Sequence, residues 1–202
     1  MPVITILAAL TFGFAPVPGL DRPDAAPPGL RKAESTCPPA PDHTAELEDL
    51  IAEVQAAPNE GAARAISNRM WALWADAPDE PAQAILDRGM TQRRSFDLLG
   101  AQRAFDRLID YCPDYAEGYN QRAFVAFLRQ DYAAALPDLD RALEISPRHV
   151  AAMSGRALSL IGLGRLAEAR VALSQALELN PWLPERRLIA PGGALADVGR
   201  DL

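Results

Sequence analysis

Apolar residues recur at helical spacing from residue 47 onward. Leu47, Leu50, Ile51 and Val54 fall at i, i+3, i+4 and i+7, which puts them on one face of a helix with Asp42 or Thr44 as its cap. "PNEG" at 58–61 ends that helix. Ile66, Met70 and Leu73, with Trp71 and Trp74 beside them, mark a second from about Ala62 to Ala75. "ADAPDEP" closes it, and Pro81 is placed to open a third helix at its first turn.

Beyond Pro81 the pattern repeats. "RLIDYCP" at 107–113 returns as "RALEISP" at 141–147 and "QALELNP" at 175–181, each 34 residues after the last. A period of 34 accommodates two helices and two short turns, the signature of a stacked helical array. With each final proline (Pro113, Pro147, Pro181) at the thirty-second place, three units run 82–115, 116–149 and 150–183. The eighth place holds Gly89, Ala123 and Ala157, and the twentieth Ala101, Ala135 and Ala169. Small side chains there let the helices of one hairpin close up, and Phe105, Leu139 and Leu173 at the twenty-fourth place fill space against the next unit.

In these positions the chain resembles the tetratricopeptide repeat family, most of all its small exported bacterial members, with "QDYAAAL" at 130–136 and "GLGRLAEAR" at 162–170 matching the inter-helix turn. The resemblance implies an all-α, α-α superhelix of three full repeats within 79–190. A degenerate capping helix pair at 44–78 would lead it, and "WLPERRL" at 182–188 would form a short C-terminal capping helix with Trp182 or Leu183 as lid. "APGGALADVGRDL" then reads as a frayed tail, flexible from 191 to 202. Pro137 lies inside a helix, where a kink near Ala133 is expected.

The same resemblance implies a concave groove lined by the first helix of each unit. Carried onto this chain, its positions are Leu86, Met90, Arg93 and Arg94 in the first unit and Glu117, Asn120, Phe124, Phe127 and Leu128 in the second. The third contributes Ser154, Leu158 and Ile161. Asn120, Phe124 and Phe127 share one helix face, setting an amide beside two rings suited to an extended segment or a short helix. The partner implied is a protein or peptide. The clamp that some family members use for a terminal carboxylate is absent, since its places hold Leu86, Met90, Gln121, Ala151 and Gly155. Arg88, Arg122 and Arg156 recur at the seventh place and read as structural, their stems packed between helices.

Composition narrows the function. Basic residues are dispersed and the net charge is −7, so no stripe exists to neutralise nucleic acid. Two histidines, His43 and His149, and no converging carboxylates give no catalytic or metal site, so neither an enzyme nor a cofactor is expected. His149 reads as a surface turn residue. "GLGRLA" at 162–167 fits a dinucleotide fingerprint in letters only, because it joins two helices where the motif needs a strand.

The start carries an apolar run from Val3 to Ala15, too short to span a bilayer as a helix and of the length of a secretory signal. Residues 1–19 are read as a signal peptide cut before Leu20, giving an exported, periplasmic protein with no membrane span once the signal is removed. The alternative is a chain tethered to the membrane by the uncleaved segment. Eight of the eighteen prolines lie between Pro16 and Pro41, making 20–43 an extended linker. Cys37 and Cys112 are the only cysteines. They form one disulfide if the chain is exported and two free thiols if it is not. Cys112 occupies a turn place filled elsewhere by Ser146 and Asn180, which predicts exposure.

The reading is a noncatalytic scaffold that grips a partner polypeptide in its groove, in periplasmic or envelope assembly. The second reading is a structural component that self-associates as a homo-oligomer, through the Trp71 and Trp74 face or the end of the third unit.

Overall fold

The structure is a computed structural model and describes residues 37–198. The proposed signal peptide, the linker before Cys37 and residues 199–202 lie outside the described residues. Those described form helices α1 (Thr44–Gln55), α2 (Glu60–Trp74), α3 (Glu80–Arg94), α4 (Leu98–Tyr111), α5 (Ala116–Leu128), α6 (Tyr132–Ile145), α7 (Val150–Gly162), α8 (Leu166–Leu179) and α9 (Arg186–Ile189), with no strand among them.

Three helical hairpins, α3/α4, α5/α6 and α7/α8, stack in chain order, the second helix of each packing on the first of the next. The small residues explain the close approach. Ala101, Ala123, Ala135, Ala157 and Ala169 are fully buried, and a Cβ at Gly89 would stand 2.4 Å from the ring of Phe105. The three hairpins share one turn. Phe96, Gln130 and Gly164 lie 34 residues apart, each with φ between 60° and 72°. After each, a backbone N–H reaches back to the carbonyl five residues earlier: Asp97 to Gln92, Asp131 to Ala126 and Arg165 to Leu160, all at 2.9 Å. This left-handed ending satisfies carbonyls that the helix leaves open. Asp97 and Asp131 then cap α4 and α6 by accepting the N–H of Gly100 (2.9 Å) and Ala134 (3.2 Å).

α6 continues across Pro137. The hydrogen bond that proline removes is the one to the carbonyl of Ala133, a residue exposed in the first turn, where water can take the donor's place. Arg122 binds Asp138 through two nitrogens, at 2.6 and 2.7 Å, and Asp106 at 2.9 Å. It thereby ties α5 to α4 and α6, and bonding to Asp138 holds its pKa above the ordinary arginine value. Arg156 binds Asp140 at 2.6 Å in the same way one unit later.

Four sequence expectations are corrected. The helix pair α1/α2 does not lead the stack. Its apolar face, with Leu47, Leu50, Ile51, Val54, Ala63 and Met70, packs against Val150 at the start of α7, Leu179 at the end of α8, and Trp182 and Leu183 beyond it. Hydrogen bonds from Gln55 to the Glu178 carbonyl (2.7 Å), Arg148 to Glu48 (2.8 Å), Asn180 to Ser67 (3.0 Å) and Arg186 to Glu60 (3.2 Å) hold it there. The reason is burial: the end of the third unit and the stripe of α1/α2 are both apolar, and each covers the other.

Trp182 and Leu183 therefore serve that contact rather than acting as the lid. The lid on the third core is Leu188, Ile189, Leu195 and Val198. Residues 191–198 are accordingly not a frayed tail. Leu195 is fully buried, and the Arg170 guanidinium donates to the carbonyls of Leu195 and Ala196 at 2.6 Å each.

Cys112 is the fourth correction. It is 2% exposed and bonded to Cys37, and Cys37 packs on the first core. The position ends α4 just where Tyr115 and Ala77 close over it, so a turn place in sequence is a core place in space.

Candidate functional site

α5 packs on α7, and residues of α2 cluster with Val150 of α7 and with Trp182 and Leu183 after α8. Between these elements is a cavity of about 320 Å³. Phe124 and Phe127 on α5 form one wall, with ring centroids 6.4 Å apart. Leu158 and Ser154 on α7 line the cavity as well, as do Trp71, Leu183, Pro184 and Glu185. Phe124 is 41% exposed. The Arg93 guanidinium lies over its ring, 4.6 Å from the centroid, a cation held by the negative face of the ring. Partial burial lowers the pKa of Arg93, with the Glu117 carboxylate acting in the opposite sense.

Of the twelve residues expected to line the groove, Arg93, Asn120, Phe124, Phe127, Ser154 and Leu158 meet in this cavity. The others do not. Leu86 and Met90 are buried in the first core, because the first helix of that unit turns them toward α4. Ile161 packs against the third core. Leu128 is half-buried away from the cavity, and Arg94 is exposed and bonded to its neighbour Thr91 at 3.0 Å.

Glu117 is the largest correction. It is 1% exposed and accepts hydrogen bonds from Asn120 (2.9 Å), Gln121 (2.5 Å) and His149 (2.8 Å). The Asn120 amide is therefore engaged inside the protein and is not free to grip a backbone. His149, read as a surface residue, is fully buried. Its Nδ1 accepts the N–H of Ala152 at 3.3 Å, capping α7. That assigns the proton to Nε2, which donates to Glu117. Both side chains of the pair are shielded from bulk solvent.

Sequence reasoning missed Trp71, Ser159, Leu183, Pro184 and Glu185 as cavity residues. Trp71, Leu183, Pro184 and Glu185 arrive only because α1/α2 and the C-terminal segment meet, and no periodicity announces that meeting. A second cavity of about 310 Å³ lies between α2 and the end of the third unit and shares Trp71, Ala151, Leu183 and Pro184 with the first. Among the described residues no group of three or more His, Cys, Asp or Glu is placed to hold a metal ion.

The tetratricopeptide repeat family model matches residues 126–185. A TPR repeat-containing protein of Rhizobium etli is 27% identical over 138 residues, 67% of this chain and 66% of that protein. The tetratricopeptide repeat protein 36 homolog of Nematostella vectensis is 40% identical over 65 residues, 32% of this chain and 36% of its own length. The matches thus span less than two thirds of either relative. Among solved structures, the first TPR of Spaghetti (RPAP3), bound to the HSP90 peptide SRMEEVD, superposes with a TM-score of 0.52 at 24% identity, covering 57% of this chain and 93% of that one. The TPR2B domain of yeast Sti1, in its pHsp70 complex, gives 0.51 at 24%, covering 55% and 91%. These likenesses carry the fold. Together with three units of one period, three shared turns and the family-model match over residues 126–185, they give this chain the tetratricopeptide repeat fold.

Proposed function

We propose that this protein is a noncatalytic scaffold that holds a segment of a partner polypeptide in the groove between α5, α7 and α2. The observation that carries the reading is the aromatic wall: Phe124 and Phe127 stand outside the three repeat cores and face a cavity. An exposed ring costs solubility unless something covers it, and a concave site with two rings is suited to an apolar anchor of a peptide. The adjoining second cavity lengthens the trough past Trp71, which favours an extended segment. The two solved neighbours named above are a complex with an HSP90 peptide and a pHsp70 complex, which agrees with this use of the fold.

The proposal includes export to the periplasm. The apolar run at Val3–Ala15 and the Cys37–Cys112 disulfide support it, since such bonds persist in oxidising compartments. No helix among the described residues is long and apolar enough to cross a membrane. The self-association reading is weakened, because Trp74 is stacked on His149 and the end of the third unit is covered by Leu188, Ile189, Leu195 and Val198.

The test replaces Phe124 with Glu and repeats a pull-down from the envelope fraction with the tagged protein. A folded variant that loses its partners supports the groove. A folded variant that retains all of them removes it.

A further inference from the structure

Five buried side-chain polar atoms among the described residues have no hydrogen-bond partner: Trp74 Nε1, Gln92 Oε1, Gln121 Oε1, Ser159 Oγ and Glu185 Oε2. Three of them, Gln121 Oε1, Ser159 Oγ and Glu185 Oε2, belong to residues lining the groove cavity. Gln121 and Ser159 are 2% and 0% exposed, so neither can turn to bulk water for a bond. The amide nitrogen of Gln121 is fixed on Glu117, which leaves its oxygen as the free end. All three atoms accept hydrogen bonds, and one belongs to a carboxylate. The Ser159 hydroxyl can also donate, but the Gln121 and Glu185 oxygens can only accept, and no donor among the described residues reaches them.

A donor can come from a neutral or a charged group, and the surroundings decide between them. A cation satisfies the Glu185 carboxylate in charge as well as in hydrogen bonding, and such bonds are the stronger kind. The lining includes Phe124, Phe127 and Trp71, and Arg93 on Phe124 shows that one of these rings already holds a cation on its face. The chain carries a net charge of −7, which draws cations toward it. The walls at Phe127 and Leu158 are apolar, so the donor has to arrive on an apolar stem. An ammonium or guanidinium on its methylene chain has that form.

We propose that the groove receives a lysine or arginine side chain of its partner, the stem lying along Phe127 and Leu158 and the charged head reaching Glu185, Gln121 and Ser159. This rests on the groove reading and specifies its chemistry. Arg93 keeps the face of Phe124 to itself, leaving the carboxylate side of the cavity for the incoming cation.

The test uses the full chain and a library of labelled, acetylated and amidated nonapeptides with one fixed central residue, read by fluorescence anisotropy. Central Lys or Arg should bind about tenfold more tightly than central norleucine, which keeps the stem and lacks the head. Glu185→Gln should shrink that ratio while leaving the norleucine peptides bound. Added salt should shrink it for the unmodified protein too, a readout that stands even if the variant does not fold. Equal binding of lysine and norleucine, or a preference for Asp or Glu set by Arg93, overturns the inference and leaves the groove reading in place. If no library peptide binds, both are overturned.

Discussion

The indole of Trp74 lies flat on the imidazole of His149, with ring centroids 4.3 Å apart and 12° between the planes. One ring belongs to the end of α2 and the other caps α7, so this stack, with the hydrogen bond from Tyr115 to the Trp74 carbonyl at 2.8 Å, fastens the N-terminal helix pair to the repeats. Beneath it, Glu117 gathers three donors in a site closed to water.

Removing that acceptor leaves His149, Asn120 and Gln121 with buried donors and no partner. Glu117→Ala should destabilise the fold by about 3 kcal/mol or more. Urea denaturation followed by tryptophan fluorescence measures it, and a change under about 1 kcal/mol would show that the network is not structural.

Phe96 adopts φ 62° and is 75% exposed. A phenylalanine is strained there, and the same turn place carries glycine at Gly164. Phe96→Gly should stabilise the protein by about 0.5–1 kcal/mol, because relief of left-handed strain exceeds the added freedom of the unfolded chain. The shift in urea midpoint decides it, and a lower midpoint contradicts the argument.

The Cys37–Cys112 bond closes a loop with a sequence separation of 75. In the chain-entropy model a loop of that size contributes about 4 kcal/mol. Reduction, or Cys37→Ala, should lower the unfolding midpoint accordingly. Reductant should then have no further effect on the Cys37→Ala protein.

Burial, ahead of the nearby charges of Glu117, Asp76 and Asp87, raises the pKa of the Tyr115 phenol above its ordinary value near 10. The folded state holds the phenol neutral, so its contribution is complete below pH about 10 and is lost as the pH climbs through the raised value. Stability measured from pH 8 to pH 11 should therefore fall on the alkaline side. The advantage of the natural protein over Tyr115→Phe should narrow across that range, and a constant gap refutes the assignment.

The repeat architecture could be read from residues alone because it is a local and periodic property. Gly89, Ala123 and Ala157 had to be small for one hairpin to close, and Phe105, Leu139 and Leu173 had to be large for the next to stack, so the constraint returns every 34 residues. Half of the groove followed from the same register, through Phe124, Phe127 and Leu158. The other half did not. Leu86 stands at the same repeat position as Asn120 and Ser154, yet it is sealed in the first core while they reach the cavity.

The chain's sequence determined three hairpins, their turns and the faces they bury, since each depends on neighbours within a few dozen residues. Tertiary structure alone decided where α1 and α2 settle, and with them Trp71 and Glu185 in the groove lining and the buried Glu117–His149 pair. Those contacts join residues about 30 to more than 120 positions apart, and they follow from matching two apolar surfaces in space. A stripe of hydrophobic residues shows that a helix must be covered, and it carries no address for what will cover it.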